Sequence, residues 1–368
     1  MMRYLPFLVL LVLLGCSKSS DDTPEPDPVS SDLYFPPVTS DSWESLTPAS
    51  LGWNETALNE LYSYLEEQNS RALIILKDGK MVVEKYWGKN LLGNADFTAA
   101  TPWYWASAGK TLTAFLTGIA QEEGLLDIAD QTSEYLGEGW TSAPKAKEDL
   151  ITIRHQLTMT TGLDYDVDDL DCTDPSCLQY KADAGTQWFY HNAAYTLIEQ
   201  VISNASGETY NDFTHEKVEQ PTGMKGTWIQ TGENNVYYST ARDAARFGLL
   251  LLNKGTWDKA AVLSDQDYFT AMTNTSQNIN LSYGYLTWLN GKESVILPGL
   301  TIPVNYTIAP AAPDDLYAAM GKNGQFIDVI PSVNLVVVRM GEAPNDALLP
   351  LQLHLSMWEK IAAAIPFE

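Results

Sequence analysis

The stretch WYWASAGKTLTAF, Trp103 to Phe115, places a serine and a lysine three residues apart at the mouth of an apolar segment. Leu112, Phe115, Leu116 and Ile119 recur at i, i+3, i+4 and i+7, the spacing of a helix with one buried face. That helix holds Ser107 in its first turn and Lys110 one turn later on the same side. A serine hydroxyl is a poor nucleophile until a base takes its proton, and a lysine amine is such a base once burial lowers its pKa. Unpaired N–H groups and the positive dipole end at the helix start favour an alkoxide and an oxyanion there. The plain alternative is a capping serine with a surface lysine, because S-x-x-K alone is frequent. Gly109-Lys110-Thr111 also ends like a phosphate-binding loop. Tyr104 stands where that loop needs glycine, however, and Trp103, Tyr104 and Trp105 would keep a backbone from wrapping a phosphate.

A second constellation follows in GTQWFYHNAAYTLIEQVISNASG. Tyr190-His191-Asn192 precede a helix with Leu197, Ile198, Val201 and Ile202 on its apolar face and Gly207 at its end. A phenol held at a helix entrance near a lysine ammonium would have its pKa lowered and could shuttle a proton to a leaving group. Taken singly, Tyr190 reads as a half-buried core tyrosine. Alternation turns His191 away from its two neighbours. His155, His215 and His354 have no evident Asp partner and no G-x-S-x-G elbow is present, so a Ser-His-Asp triad is disfavoured.

Further out, NETALNELYSYLEEQ repeats Leu58, Leu61, Tyr62 and Leu65 at helical spacing, and ALIILKDGKMVVEKYW reads as a hairpin around Asp78-Gly79. Near the other end, GQFIDVIP and NLVVVRM are strand-like runs around a Ser332-containing turn, and a final apolar helix closes the chain. The expected fold is α/β in the α+β sense: one antiparallel sheet assembled from both chain ends and flanked by helices, plus a mostly helical part. The sheet-containing part covers 48–110 and 241–368, and the helical part 111–240. Within the helical part, DYDVDDLD has the D-x-D-x-D spacing of a calcium loop. It lacks that loop's sixth-position glycine and closing Glu, which favours a solvated acidic loop. Cys172 and Cys177, two nearby thiols around a Pro-containing turn, favour a disulfide over a metal pair that no nearby His completes.

The chain opens MMRYLPFLVLLVLLGC. Arg3 and the short run Leu5 to Leu14 resemble an export signal over 1–15 rather than a membrane span, and Leu13-Leu14-Gly15-Cys16 resembles a lipobox with Cys16 as the lipidated residue. An acidic Pro- and Ser-rich tether over 16–47 follows, then the domain over 48–368. The expected location is the bacterial cell envelope, with the membrane engaged by the lipid anchor only. The 368 residues are 45% hydrophobic, enough for a sizeable core, and carry a net charge of -25, which argues against nucleic acid as a partner.

Taken in order, S-A-G-K, ITIRHQLTMTTGLDYD, Y-H-N, STARDAARFGLLLLNKGTW and a Gly-rich strand entry resemble the serine β-lactamase and penicillin-binding-protein superfamily. The nearest resemblance is to its class C-related branch of esterases, D-amino-peptide hydrolases and 6-aminohexanoate-dimer hydrolases. It covers nearly everything after about Thr47. The resemblance implies a β-lactamase/transpeptidase-like fold with Ser107 as acylated nucleophile, Lys110 as base, Tyr190 as proton relay and Asn192 as a substrate-binding amide. Ala319-Met320-Gly321 falls where relatives read H-T-G or K-T-G. Gly321 then edges the substrate, and the Lys322 backbone N–H joins that of Ser107 as oxyanion donor. The cation or imidazole that binds a substrate carboxylate is missing from that motif, which weakens a D,D-peptidase or β-lactamase activity. Tyr165 falls at a substrate-contacting tyrosine of the aminohexanoate hydrolases. Trp103, Tyr104, Trp105 and Trp188 are candidate walls of an apolar acyl pocket. The implied function is ester or amide hydrolysis of a small-molecule or short peptide-like substrate with no cofactor and no metal. A surface lipoprotein that keeps the fold only to bind is the reading from another class. Everything requires Ser107, Lys110 and Tyr190 to converge at one cleft.

Overall fold

The computed structural model describes residues 1–2, 33–344 and 349–367. Beyond Met1 and Met2, the expected signal segment and Cys16 lie outside the described residues. In chain order the first elements are helix α1 (Glu55–Glu67), strands β1 (Ser70–Lys77) and β2 (Lys80–Tyr86), and the short strand β3 (Trp103–Tyr104). Helix α2 (Gly109–Glu122), three short helices α3 (Ser133–Leu136), α4 (Lys145–Glu148) and α5 (Ile153–Leu157), and α6 (Asn192–Ser206) follow. Then come α7 (Tyr210–Thr214), α8 (Gln220–Thr222), the hairpin β4 (Gly226–Thr231) and β5 (Asn234–Ser239), and α9 (Ala241–Leu252). The remainder is the small ladder β6 (Thr256–Trp257) and β7 (Ala260–Ala261), α10 (Gln266–Met272), β8 (Trp288–Leu289), β9 (Tyr317–Gly321), β10 (Gln325–Ile330), β11 (Leu335–Gly341) and α11 (Leu351–Ala364).

Six strands form one antiparallel sheet in the order β2-β1-β11-β10-β9-β8, so strands from the two chain ends lie side by side. Both residues of the β1–β2 turn, Asp78 and Gly79, have positive φ, the conformation a two-residue hairpin with the right twist demands. Strand β1 is buried at Ser70 and from Ala72 to Leu76, as befits a central strand covered on both faces. On one face α9 lies across the sheet, with its Gly248 against Val336 and Ile327. The other face carries α11 with α1 beside it. There the buried Asp328 carboxylate accepts hydrogen bonds from Trp358 (2.8 Å) and pairs with His354 (2.9 Å). Asn54 caps α1 by accepting from Thr56 and Ala57, and α1 buries Ala57, Leu58, Leu61 and Leu65.

Two boundaries differ from the sequence-based expectation. The packed unit begins at Leu33, not at 48. Residues 33–47 lie on the domain because Arg246 gathers the carbonyls of Pro37 (3.0 Å) and Ser40 (2.9 Å), and Trp43 donates to the Gly79 carbonyl (2.8 Å). A Pro-rich segment that cannot fill its own carbonyls is here filled by a buried guanidinium. A second sheet of order β3-β5-β4 takes two of its three strands, β4 and β5, from within 111–240, which the sequence reads as mostly helical.

Arg339 on β11 is fully buried with no carboxylate beside it. Its guanidinium donates to the carbonyls of Gln68, Asn323, Gly324 and Glu342 and to the Ser70 hydroxyl. Burial lowers its pKa to about 9. The side chain ties the turn after β9, residues Lys322–Gly324, to the start of β1. Replacing it by methionine keeps the volume and leaves four carbonyls unpaired. Arg339→Met is expected to lose about 3 kcal/mol of stability, read from the denaturant midpoint.

Candidate active site

Strand β3 delivers the chain to Trp105, whose backbone N–H and indole N–H bond the Tyr237 carbonyl and the Ser239 hydroxyl of β5, both at 2.8 Å. Ala106 then takes a left-handed conformation, φ 48°, which a residue with a Cβ adopts only at a cost of about 1 kcal/mol or more. The 3-10 turn Ala106–Ala108 runs straight into α2. Ser107 therefore lies one step ahead of the helix proper, not inside its first α-turn as the spacing suggested. The strained residue before it sets its direction.

A cavity of about 420 Å³ opens at this turn, and Ser107, Lys110, Tyr190, Asn192, Gly321 and Lys322 all line it. Lys110 is 3% exposed, and its Nζ donates to Ser107 Oγ at 3.2 Å. The ammonium faces the Tyr195 ring at 3.8 Å and the Tyr190 ring at 5.1 Å. Burial lowers its pKa to about 7 against the opposing pull of Asp171 and Glu199. The amine is thus largely free at mildly alkaline pH. The pKa of the Tyr190 phenol is raised, not lowered: burial outweighs the opposing effect of the Ser107 hydroxyl. Tyr190 stays a neutral O–H. Its ring stacks on Trp288 at 5.9 Å.

Strand β9 closes the other side. A Cβ on Gly321 would lie 2.5 Å from the Trp105 carbonyl, 2.8 Å from the Ala108 nitrogen and 3.0 Å from that of Ser107, so only glycine lets the strand run against the Ser107 turn. The chain then turns at Lys322, whose side chain is exposed. Ala318, Ala319 and Met320 are buried and uncharged, so β9 itself aims no cation at the cavity.

Asn192 is the first residue of α6. Its amide donates to Asp171 at 2.7 Å, and its Oδ1 is buried with no hydrogen-bond partner among the described residues. Asp171 belongs to the acidic loop, which is closed on itself by the Cys172–Cys177 disulfide and held to α6 by the Ala193 N–H on the Leu170 carbonyl. Among the described residues, no group of three or more His, Cys, Asp or Glu side chains is placed to hold a metal ion.

Other expectations need correction. Tyr165 does not line the cavity. It stacks on Phe189 at 4.4 Å with the Lys181 ammonium over its other face, and so serves the loop's packing. Trp103, Trp105 and Trp188 are core residues, and Tyr104 accepts a hydrogen bond from Asn323; the aromatic wall is Trp288 instead. His354 does have an Asp partner, Asp328, but the pair lies between the sheet and α11. His191 points its ring at the Asp164 carbonyl. Sequence reasoning missed Asp171, Tyr195, Asn235 and Trp288. Tyr195 was within reach, one turn beyond Asn192 on the same helix face. The others arrive from segments with no local signal. A larger cavity, about 540 Å³, lies beside β4 and α9. Its arginines are already engaged, Arg242 by Glu84 and Arg246 by backbone carbonyls, and it holds no paired nucleophile and base.

The model of the family described as Beta-lactamase matches residues 65–347. An uncharacterized protein of Alkalihalophilus pseudofirmus is 22% identical over 309 residues, covering 75% of this chain and 85% of that protein. Among solved structures, a putative 6-aminohexanoate-dimer hydrolase from Bacillus anthracis matches with a TM-score of 0.68 at 16% identity, over 90% of this chain and 89% of that one. A family VIII carboxylesterase matches with a TM-score of 0.60 at 16% identity, over 83% and 96%. The two structures share the fold: a sheet built from both chain ends, with a helical part beside it. With a family match running from α1 past β11, through every residue that lines the nucleophile's cavity up to Lys322, the chain belongs to the beta-lactamase family of serine hydrolases.

Proposed function

We propose that this protein hydrolyses a carboxylic ester or amide through an acyl-serine intermediate on Ser107. The observation that carries the proposal is the buried Lys110 amine 3.2 Å from the Ser107 hydroxyl, its pKa lowered by burial to about 7. Lys110 takes the hydroxyl proton as Oγ bonds to the substrate carbonyl carbon. The backbone N–H groups of Ser107 and Lys322 hold the developing oxyanion. Tyr190, a neutral phenol lining the same cavity as Ser107, passes a proton to the departing oxygen or nitrogen as its bond to carbon breaks, and is reprotonated from Lys110. Water then attacks the acyl carbon, its proton returns through the same groups, and Ser107 is released. Asn192 borders the acyl group.

The substrate is a small molecule or short peptide-like chain with an apolar side. Trp288, Leu170, Val236, Met320 and Pro298 line the cavity, while Asp171 brings negative charge to it. Without a cation on β9, a substrate carboxylate finds no buried partner, which favours neutral esters and amides over penicillins and D,D-peptides. The leader resembling a lipoprotein signal supports a lipid-anchored enzyme of the cell envelope. A binding-only role would leave the cost of burying Lys110 without a use.

p-Nitrophenyl butyrate and a fluorophosphonate probe test the proposal. Both are expected to acylate or label the wild type and not Ser107→Ala, and Tyr190→Phe is expected to lose about 100-fold in kcat/KM. Because the free amine is the active form, kcat/KM should rise as pH increases through about 7. Gly321→Ala, which pushes β9 off the nucleophile turn, should lose about 100-fold or more. A chromogenic cephalosporin turned over faster than the ester would overturn the preference for neutral substrates. Equal labelling of the wild type and Ser107→Ala would overturn the mechanism.

A further inference from the structure

A cavity of about 420 Å³ opens between α5, the turn at Gly185 ahead of α6, and the loop 275–279 that follows α10. It shares no lining residue with the cavity of Ser107. Its charge is out of keeping with the rest of the molecule. The chain holds 47 acidic residues against 22 lysines and arginines, and acidic side chains enter the other cavities accordingly. Asp171 lines the Ser107 cavity, Asp41 and Asp243 the one beside β4 and α9, and Glu55 and Glu84 a groove between α1 and β2. The cavity at Gly185 has no carboxylate in its lining and carries Arg154 and His155. Asp183, two positions before Gly185, is taken up by the Lys147 ammonium and the Tyr180 hydroxyl.

The cap of α5 fixes the state of the imidazole. The Thr152 backbone N–H donates to His155 Nδ1 at 3.1 Å, and a backbone N–H can only donate. Nδ1 is therefore the bare nitrogen, and Nε2 carries the proton. Burial and the adjacent Arg154 guanidinium lower the basicity of the ring in the same sense. The Nε2–H group has no acceptor among the described residues. Gly185 leaves room beside it, since a Cβ there would lie 3.2 Å from Nε2. Arg154 is held in place by two of its donors: Nη2 bonds the Ser276 carbonyl at 3.1 Å, and Nε lies 3.4 Å from the Tyr285 hydroxyl. Its Nη1 has no acceptor, and it forms no ion pair with any of the described carboxylates. The buried hydroxyls of Thr158 and Thr160 are spent on the Arg154 carbonyl and on each other. Gln277 closes the loop on itself by accepting the N–H groups of Ile279 and Asn280, which leaves the exposed Asn278 amide at the rim. The donors left over in this lining thus belong to Arg154, His155 and Asn278.

We propose that this cavity binds a small oxyanion, the carboxylate or phosphate group of a small molecule, between the Arg154 guanidinium and the His155 Nε2–H, with the Asn278 amide at its rim. A planar guanidinium offers paired donors to such a group, and its position is already set by the Ser276 carbonyl. The imidazole adds a directed donor from a second side. A cation would meet the guanidinium's repulsion, and a neutral ligand would leave its charge without a counterpart. The site is separate from the chemistry at Ser107, and the inference does not depend on the hydrolase mechanism.

The test follows the imidazole protons of His155 by NMR, their resonance identified by its loss in His155→Gln. Inorganic phosphate or succinate is added to the protein at constant ionic strength and constant, mildly alkaline pH. At least one of the two anions should move the resonance saturably, with a Kd of about 1 mM or tighter. Saturation by phosphate alone assigns a tetrahedral group, and by succinate alone a carboxylate. Arg154→Gln, which removes the fork, should weaken binding by about tenfold or more. Asn278→Asp puts a carboxylate at the rim and leaves Arg154 and His155 in place. It should weaken binding in the same direction, and it gives a readout if Arg154→Gln folds poorly. No saturable shift with either anion up to about 50 mM, or a shift that both variants leave unchanged, overturns the site. None of these residues lines the Ser107 cavity, so the result stands whether or not p-nitrophenyl butyrate is hydrolysed.

Discussion

The burial of one lysine amine organises this molecule. Lys110 lies under the cavity floor with aromatic faces on one side and the nucleophile hydroxyl on the other, 3% exposed. An ammonium in such a place loses most of its hydration, and the protein returns only part of it through Asp171 and Glu199. The neighbouring structure follows from that requirement. The helix α6 supplies Tyr195 and Glu199, the disulfide-closed loop supplies Asp171, and β9 is pressed so close that only Gly321 fits. Burial raises the pKa of Tyr190 for the same reason that it lowers that of Lys110. Both charged forms are disfavoured in one dry pocket.

Local pattern carried a large part of this. The 3.6-residue period after Thr111 located α2, and the alternation around Asp78-Gly79 located the β1–β2 hairpin, because those elements draw their stability from residues adjacent in sequence. The convergence of Ser107, Lys110, Tyr190, Asn192 and Gly321 on one cavity was legible only through the order of motifs. What could not be read was everything that depends on a second segment. Trp288 reaches the cavity by stacking on Tyr190 across the sheet edge, and Asn235 reaches it from the tip of a hairpin. The ordering of residues 33–47 needed Arg246, some 200 positions further along, whose guanidinium fills their carbonyls. The direction of Tyr190's pKa shift was misjudged because spacing reports proximity, not dehydration.

The site also differs in kind from an exposed hydroxyl–imidazole arrangement. The cavity offers a substrate hydrogen-bond donors, an apolar wall, the Asp171 carboxylate and, at its rim, the exposed Lys322. Its wall is largely apolar, the kind of lining that discriminates by shape. Two details hold this geometry at one remove: the strain at Ala106, and the Arg339 guanidinium that anchors the turn bearing Lys322.

The pairing of β1 with β11 has a temporal side. Arg339 bonds the carbonyl of Gln68, 271 positions earlier in the chain, and β11 is the second neighbour that makes β1 a central strand. A growing polypeptide therefore has no completed sheet, and no turn at Lys322 to face Ser107, until residues 322–341 have been made. Contacts of such separation form late, since their closure entropy must be met before they give anything back. Before that point local helices and hairpins can form, but the parts of the site stay apart.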